Sequence, residues 1–257
     1  MFSRRSLVAA RTGARLLLAD PAPVLMTAVM PLLFVPFLLP SARAQLRLSG
    51  YAAANGTEQL VPGVAVLFSF LSMMLVGTLF FREHAWGTWD RLRASGTSMA
   101  DIVLGKVAPL YLAFVGQTFV VLVLCRLLFG YRPNGSVLAL AAVVAVLEAA
   151  VTAFGVLMVA LFRTMDLAMT VGNLGGMVMA GLGGSFAPAS AMPHWAQEAA
   201  RFTPTYWALE ALHRLSLDGA GLADVGRHLG VVAAFAVGFA LVAALVWRPD
   251  QVKIGTT

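Results

Sequence analysis

Glu148 is the one carboxylate set well inside a long apolar run, residues 137–162. An ionisable group at the centre of a membrane helix costs about 2.5–3.5 kcal/mol on insertion scales, so it is expected to face a bundle interior or a cavity. Two chemistries suit it there: a proton or substrate contact on a translocation path, or a protonated side chain in a structural hydrogen bond. The other reactive side chains do not cluster. His84, His194, His213 and His228 are scattered at the ends of apolar segments, and there is no HExxH. Cys125 is the only cysteine, which excludes an internal disulfide and a cysteine-based metal site. No GxxxxGK[ST] occurs. Gly105-Lys106-Val107 lacks both the upstream glycine and the hydroxyl that such a phosphate cradle uses. A membrane-embedded enzyme or assembly factor using His194, Glu210 and His213, or a proton-coupled carrier working through Glu148, has no spacing that demands it.

The densest polar stretch runs from Arg82 to Lys106 and contains Arg82, Arg91, Arg93 and Lys106, four of the eighteen Lys/Arg residues. It lies between two long apolar runs. It reads either as a partly helical cytosolic loop that receives force from another protein, or as a solvated loop whose basic residues set topology.

These groups have to be positioned by membrane helices. The chain of 257 residues is 60% hydrophobic and 12% charged, with a mean hydropathy of +0.83. Soluble domains carry about 25% charged residues, so this composition predicts an all-α, polytopic membrane protein. Six spans are expected, over residues 22–40, 61–81, 103–129, 137–162, 167–186 and 229–247, with a polar loop at 41–60. The formal charge of +6 follows the positive-inside rule rather than nucleic-acid binding. Beside the first two spans, Arg4, Arg5, Arg11, Arg15, Arg82, Arg91, Arg93 and Lys106 stand against Arg43 and Arg47 on the other side. That puts the termini and the 82–102 loop in the cytosol. Residues 2–20 alternate arginines with leucines and predict an amphipathic helix lying on the membrane; a cleaved twin-arginine signal is the alternative.

In the fifth span Gly172, Gly176, Ala180 and Gly184 recur every four residues, giving one small-residue face. Such a face lets another helix approach closely, as ordinary packing, as a dimer seam or as a sliding contact. Residues 187–227 are broken by Pro188, Pro193 and Pro204 and predict short helices at, or dipping into, the outer interface, where Trp195, Tyr206 and Trp207 suit that depth.

Glu83 with Gly87-Thr88, then Leu92, a small-residue turn from Ser95 to Ser98, Ile102 and Gly105-Lys106 resemble the first cytosolic loop of ABC-2 type permeases, the membrane subunits of a class of ATP-binding-cassette exporters. Gly183 to Pro188, Met192-Pro193-His194-Trp195 and Pro204 to Leu212, which includes Tyr206 and Glu210, are similar to that family's segment between its fifth and sixth spans. Gly96-Thr97 stands where the family commonly has a proline after Leu-Arg, which affects the geometry of that turn. The resemblance implies a single transmembrane unit over 1–257, paired with a second copy or a homologous permease in the cell (inner) membrane. It implies a cytosolic ABC ATPase subunit that carries ATP and Mg, with no cofactor and no catalytic residue on this chain. Arg82–Ala94 would be the coupling helix: Glu83 accepting hydrogen bonds near a helix start, Arg91 and Arg93 pairing with acids, and Trp86, Trp89 and Leu92 filling a groove. The substrate would be a drug, lipid or glycolipid, with 187–227 closing the path on the outer side.

Overall fold

The computed structural model describes residues 22–48, 50–51, 54–86, 99–188 and 191–247. They form helices α1 (Ala22–Leu48), α2 (Thr57–Ser72), α3 (Met74–Ala85), α4 (Met99–Phe129), α5 (Val137–Leu161), α6 (Met165–Gly183), α7 (His194–Ala200), α8 (Pro204–Leu217) and α9 (Gly226–Val246). No strand occurs among the described residues. Six segments are long and apolar enough to cross a bilayer: Thr27–Leu48, Thr57–Arg82, Asp101–Phe129, Val137–Leu161, Met165–Gly183 and Gly226–Val246.

One boundary differs from the sequence reading. The expected loop at 41–60 is mostly helix, because α1 continues through Pro40 to Leu48 and α2 opens at Thr57. Pro31, Pro36 and Pro40 all lie inside α1. A proline removes one helix hydrogen bond, but in a bundle the neighbouring helices and side chains compensate, so the helix need not stop there. Here Ala42 and Leu46 are buried, which holds the last turns of α1 in place. Asn55 then starts α2: its Oδ1 accepts from the Thr57 N–H at 2.8 Å, while Gly56 takes φ 100°, a conformation suited to glycine.

The second span is interrupted at Met73, where α2 gives way to α3. Ser69 and Ser72 donate their hydroxyls to the carbonyls four residues back, Ala65 and Phe68, each at 2.9 Å. Such back-bonding competes with the helix ladder and tends to bend it. The backbone answers with i→i+3 bonds, Met73 N–H to Phe70 O and Val76 N–H to Met73 O.

α5 is the hub. It packs against α2, α3, α4, α6, α8 and α9. Apart from Glu148 and Thr152, its Ala- and Val-rich sequence is apolar on every side, as a helix with neighbours on several faces requires, and Ser136 caps its start by accepting from the Ala139 N–H. One end of the bundle gathers the end of α3, the start of α4, the α5–α6 turn and Trp247, which meets Phe80 edge-on at 5.6 Å between ring centres. The opposite end gathers 50–56, 130–136 and the α7–α8 region.

Candidate functional site

At the first end, α3 carries the second span out to Ala85, so Glu83 sits in the last helical turn. The Arg82 guanidinium lies 4.5 Å from the centre of the Trp86 ring, a cation–π contact that leaves Trp86 63% exposed. Gly87, Thr88, Trp89, Arg91, Leu92 and Arg93 fall outside the described residues, as do residues 2–20.

Midway along the bundle, α2, α4 and α5 meet in a polar junction. Glu148 is 0% exposed. Its Oε1 accepts from Ser69 Oγ and from Thr118 Oγ1, both at 2.6 Å. One turn along α2, Ser72 Oγ accepts from Gln117 Nε2 at 2.9 Å. Thr152, on α5, donates to the Glu148 carbonyl at 2.6 Å. Two oxygens in this buried layer have no partner, Glu148 Oε2 and the Gln117 side-chain Oε1. Sequence reasoning reached Glu148 but not its partners. Ser69, Ser72 and Thr118 are small hydroxyls inside apolar runs, and their one available signal was a spacing that places Ser69 and Ser72 on the same face of α2.

The small-residue face of α6 packs inside the chain. A Cβ on Gly172 would overlap the end of the Met73 side chain, and one on Gly176 would lie 3.0 Å from Phe70. Ala180 is fully buried. Gly184 takes φ 105° and closes α6, with its own N–H bonded to Gly181 O and the Ser185 N–H bonded to Ala180 O, the hydrogen-bond pair of a Schellman cap. The opposite face of α6 exposes Val171, Leu174 and Val178.

At the second end, Pro193 precedes α7 and Trp195 points outward, 69% exposed. Pro204 occupies the first turn of α8, whose cap is the Thr203 hydroxyl accepting from the Tyr206 N–H. Tyr206 and Trp207 stack edge to face at 5.5 Å. Glu210 pairs with Arg214 on the helix surface at 3.2 Å. His213 Nε2 lies 3.2 Å from the Gln59 carbonyl and joins α8 to α2. Burial pushes the His213 pKa down, against the opposing pull of that hydrogen bond, and keeps the ring neutral at pH 7. Glu210 and His213 line one pocket of about 230 Å³ with Arg201, Tyr206 and Gln197, and His194 is not part of its lining. Of His194, Glu210 and His213, this pocket joins the last two.

A second, larger cleft of about 840 Å³ opens between Tyr51, Asn55, Glu58, Arg132 and Asn134. Tyr51 beside it donates to Asp218 Oδ1 at 3.0 Å, a bond that raises the phenol pKa. Tyr131 is buried and shares a 2.8 Å bond with Ser216, and burial pushes its phenol up to about 12. Together with Gly135 N–H to Leu215 O at 2.8 Å, the Tyr131–Ser216 bond fastens α8 to the 130–136 turn. Among the described residues no group of three His, Cys, Asp or Glu side chains is placed to hold a metal ion.

Six apolar helical spans, with a buried polar junction and large apolar side chains exposed on the outside, define a multi-pass helical membrane protein. Within that class, the chain belongs to the ABC-2 type transporter family, whose pattern matches residues 2–215. It is similar to the linearmycin resistance permease protein LnrN of Bacillus subtilis (strain 168), with 28% identity over 185 residues that cover 72% of this chain and 48% of the relative. The chain thus spans about half the length of the curated relative it matches.

Proposed function

We propose that the chain is the membrane-spanning permease of an ABC exporter, moving a hydrophobic or amphipathic substrate such as a drug, lipid or glycolipid out of the cytoplasm. The observation that carries this reading is the family match, which runs through five of the six spans and into α8. A relative named as a linearmycin resistance permease favours an outward direction. ATP and Mg act on a separate cytosolic ATPase; this chain contributes no catalytic group and works beside a second copy or a homologous permease. The basic residues flanking the first two spans support cytosolic termini and a cytosolic 82–102 loop in the inner membrane. The 82–102 stretch is the coupling element, with Glu83, Trp86, Gly87, Thr88, Trp89, Arg91, Leu92 and Arg93 as its contacts. α7 and α8, with 7 and 14 residues, are too short to cross a bilayer core of about 30 Å, which supports a re-entrant outer segment.

Affinity purification of the tagged chain from its native membrane in mild detergent, followed by mass spectrometry and an ATPase assay, tests this. A subunit with a nucleotide-binding motif is expected to co-purify. Trp86→Ala and Arg91→Glu are each expected to weaken its retention by roughly 30-fold, the loss of about 2 kcal/mol typical of an interface anchor. Wild-type retention and ATP turnover in both variants would remove the coupling role, and an eluate without an ATPase would remove the exporter reading.

A further inference from the structure

The junction of α2, α4 and α5 is short of one hydrogen-bond donor. Its acceptors are Glu148 Oε1, Glu148 Oε2 and Gln117 Oε1. The donors aimed at them are two hydroxyls, Ser69 and Thr118, and both go to Oε1. Ser69 is also shared with the Ala65 carbonyl, the Ser72 hydroxyl turns to the Phe68 carbonyl, and one N–H of the Gln117 amide goes to Ser72. Glu148 Oε2 and Gln117 Oε1 are left bare in residues that are 0% and 6% exposed. Buried polar atoms are rarely left so, because desolvation without a partner is costly. One added proton on Oε2 turns a bare acceptor into a donor, and the bare amide oxygen on the next residue to Thr118 is the acceptor it lacks.

We propose that this junction is a proton-binding site, in which Glu148 is held as the neutral acid with its proton on Oε2 and the Gln117 side-chain oxygen accepts that proton's hydrogen bond, directly or through one water. The proton arrives from hydronium, forms one O–H bond on Oε2 and returns to water when that bond breaks. No cation takes its place. On α2 and α4 the charged residues Glu58, Asp101, Lys106 and Arg126 lie two turns or more along the helix from Ser69, Ser72, Gln117 and Thr118, and of Arg82 on α3, Asp166 on α6, Glu210, His213 and Arg214 on α8, and Arg227 and His228 on α9, none bonds to the Glu148 carboxyl. Nearer to the junction, Tyr111 is uncharged and donates to the Ala145 carbonyl. Loss of the proton therefore leaves a carboxylate with hydroxyl partners only, and release is coupled to water entering between the three helices. The site rests on the helix packing and not on the exporter reading, and its test does not use transport.

Infrared difference spectroscopy of the full chain in nanodiscs reads the site directly. Wild-type protein is expected to keep a carboxylic-acid C=O band at pH 6, where an ordinary glutamate of pKa about 4.3 is ionised roughly 50-fold in favour of carboxylate. Glu148→Gln should remove that band. Ser69→Ala and Thr118→Val should raise its frequency by stripping donors from the carbonyl oxygen, and Gln117→Leu should shift it by removing the O–H acceptor. A wild-type spectrum with no acid band at pH 6 overturns the proposal even if every variant fails to fold. A band that survives in Glu148→Gln also overturns it, and one unmoved by Gln117→Leu overturns the assigned acceptor.

Discussion

α6 and α9 carry the same sequence signature and use it in opposite ways. α6 sets Gly172, Gly176 and Ala180 at four-residue intervals; α9 does the same with Gly230, Ala234 and Gly238. On α6 the small residues are filled from outside by Met73, Met158 and Phe70. On α9 nothing lies within 4 Å of a Cβ built at Gly230 or Gly238. The difference comes from the neighbours. α2, 72% buried over its apolar window together with α3, presses its aromatic and methionine side chains into the α6 face. α9 is 11% buried over the same measure, packs α5 along its other side and leaves Val237, Leu241 and Leu245 outward. Small residues at period four permit close approach, and only the packing decides whether anything approaches.

The largest expected effect is at the Gly63 end of the buried seam. A Cβ on Gly63 of α2 would collide with the Ser185 carbonyl oxygen and lie 2.8 Å from its carbon. That neighbour is backbone, fixed by the Ser185 N–H bond to Ala180 at the cap of α6. Gly63→Ala should therefore cost about 3 kcal/mol, the upper end for overpacking, measured by reversible unfolding in mixed micelles. Gly176→Ala meets Phe70 at 3.0 Å, where the ring must give by a few tenths of an ångström, and about 1 kcal/mol is expected. Gly172→Ala meets chiefly the flexible end of Met73, with Met158 Cγ at 3.1 Å, and should cost less than Gly176→Ala. Equal costs at the three sites would mean that the seam is looser than its contacts imply.

Much of the seam was legible before the structure. The period-four glycines and the apolar runs follow directly from residue type and helix geometry, and so do six spans and the broken stretch at 187–227. The start of α2 and the length of α1 were not, because Arg43, Arg47, Gly50, Asn55 and Gly56 look like loop chemistry until Ala42, Leu46 and the Arg43–Asn55 bond at 2.8 Å are seen holding the helix. The polar junction was half legible. Glu148 stands out as a carboxylate in an apolar run, whereas Ser69, Thr118 and Gln117 come from other helices, and their register against α5 is a tertiary fact. The α9 stripe was equally visible in the sequence and equally silent about its covering.

A smaller effect is expected from pH at the same seam. His213 ties α8 to α2 through the Gln59 carbonyl, and burial holds its pKa below the usual 6.5. The folded state then binds fewer protons than the unfolded chain around that pH, so stability rises with pH. The contribution is complete above about pH 6.5 and is lost as acid protonates the ring. Unfolding midpoints should fall between pH 7 and pH 5, and His213→Gln should flatten that part of the profile. An unchanged slope in the variant would place the acid sensitivity elsewhere.

The smallest effect is expected on α9, and its sign is what matters. Gly230→Ala and Gly238→Ala add a methyl to open space in a helix interior, where alanine is favoured over glycine by about 0.5–1 kcal/mol. Each should leave stability unchanged or raise it by that amount, opposite in sign to the α6 substitutions. The same measurement in the membrane-extracted assembly extends the comparison. If a second chain lies on this stripe, the added methyls will lower the stability of the assembly while the isolated chain stays as stable as before. If only lipid covers it, both will respond alike, since a fluid acyl chain can yield to a methyl where Phe70 and the Ser185 backbone cannot.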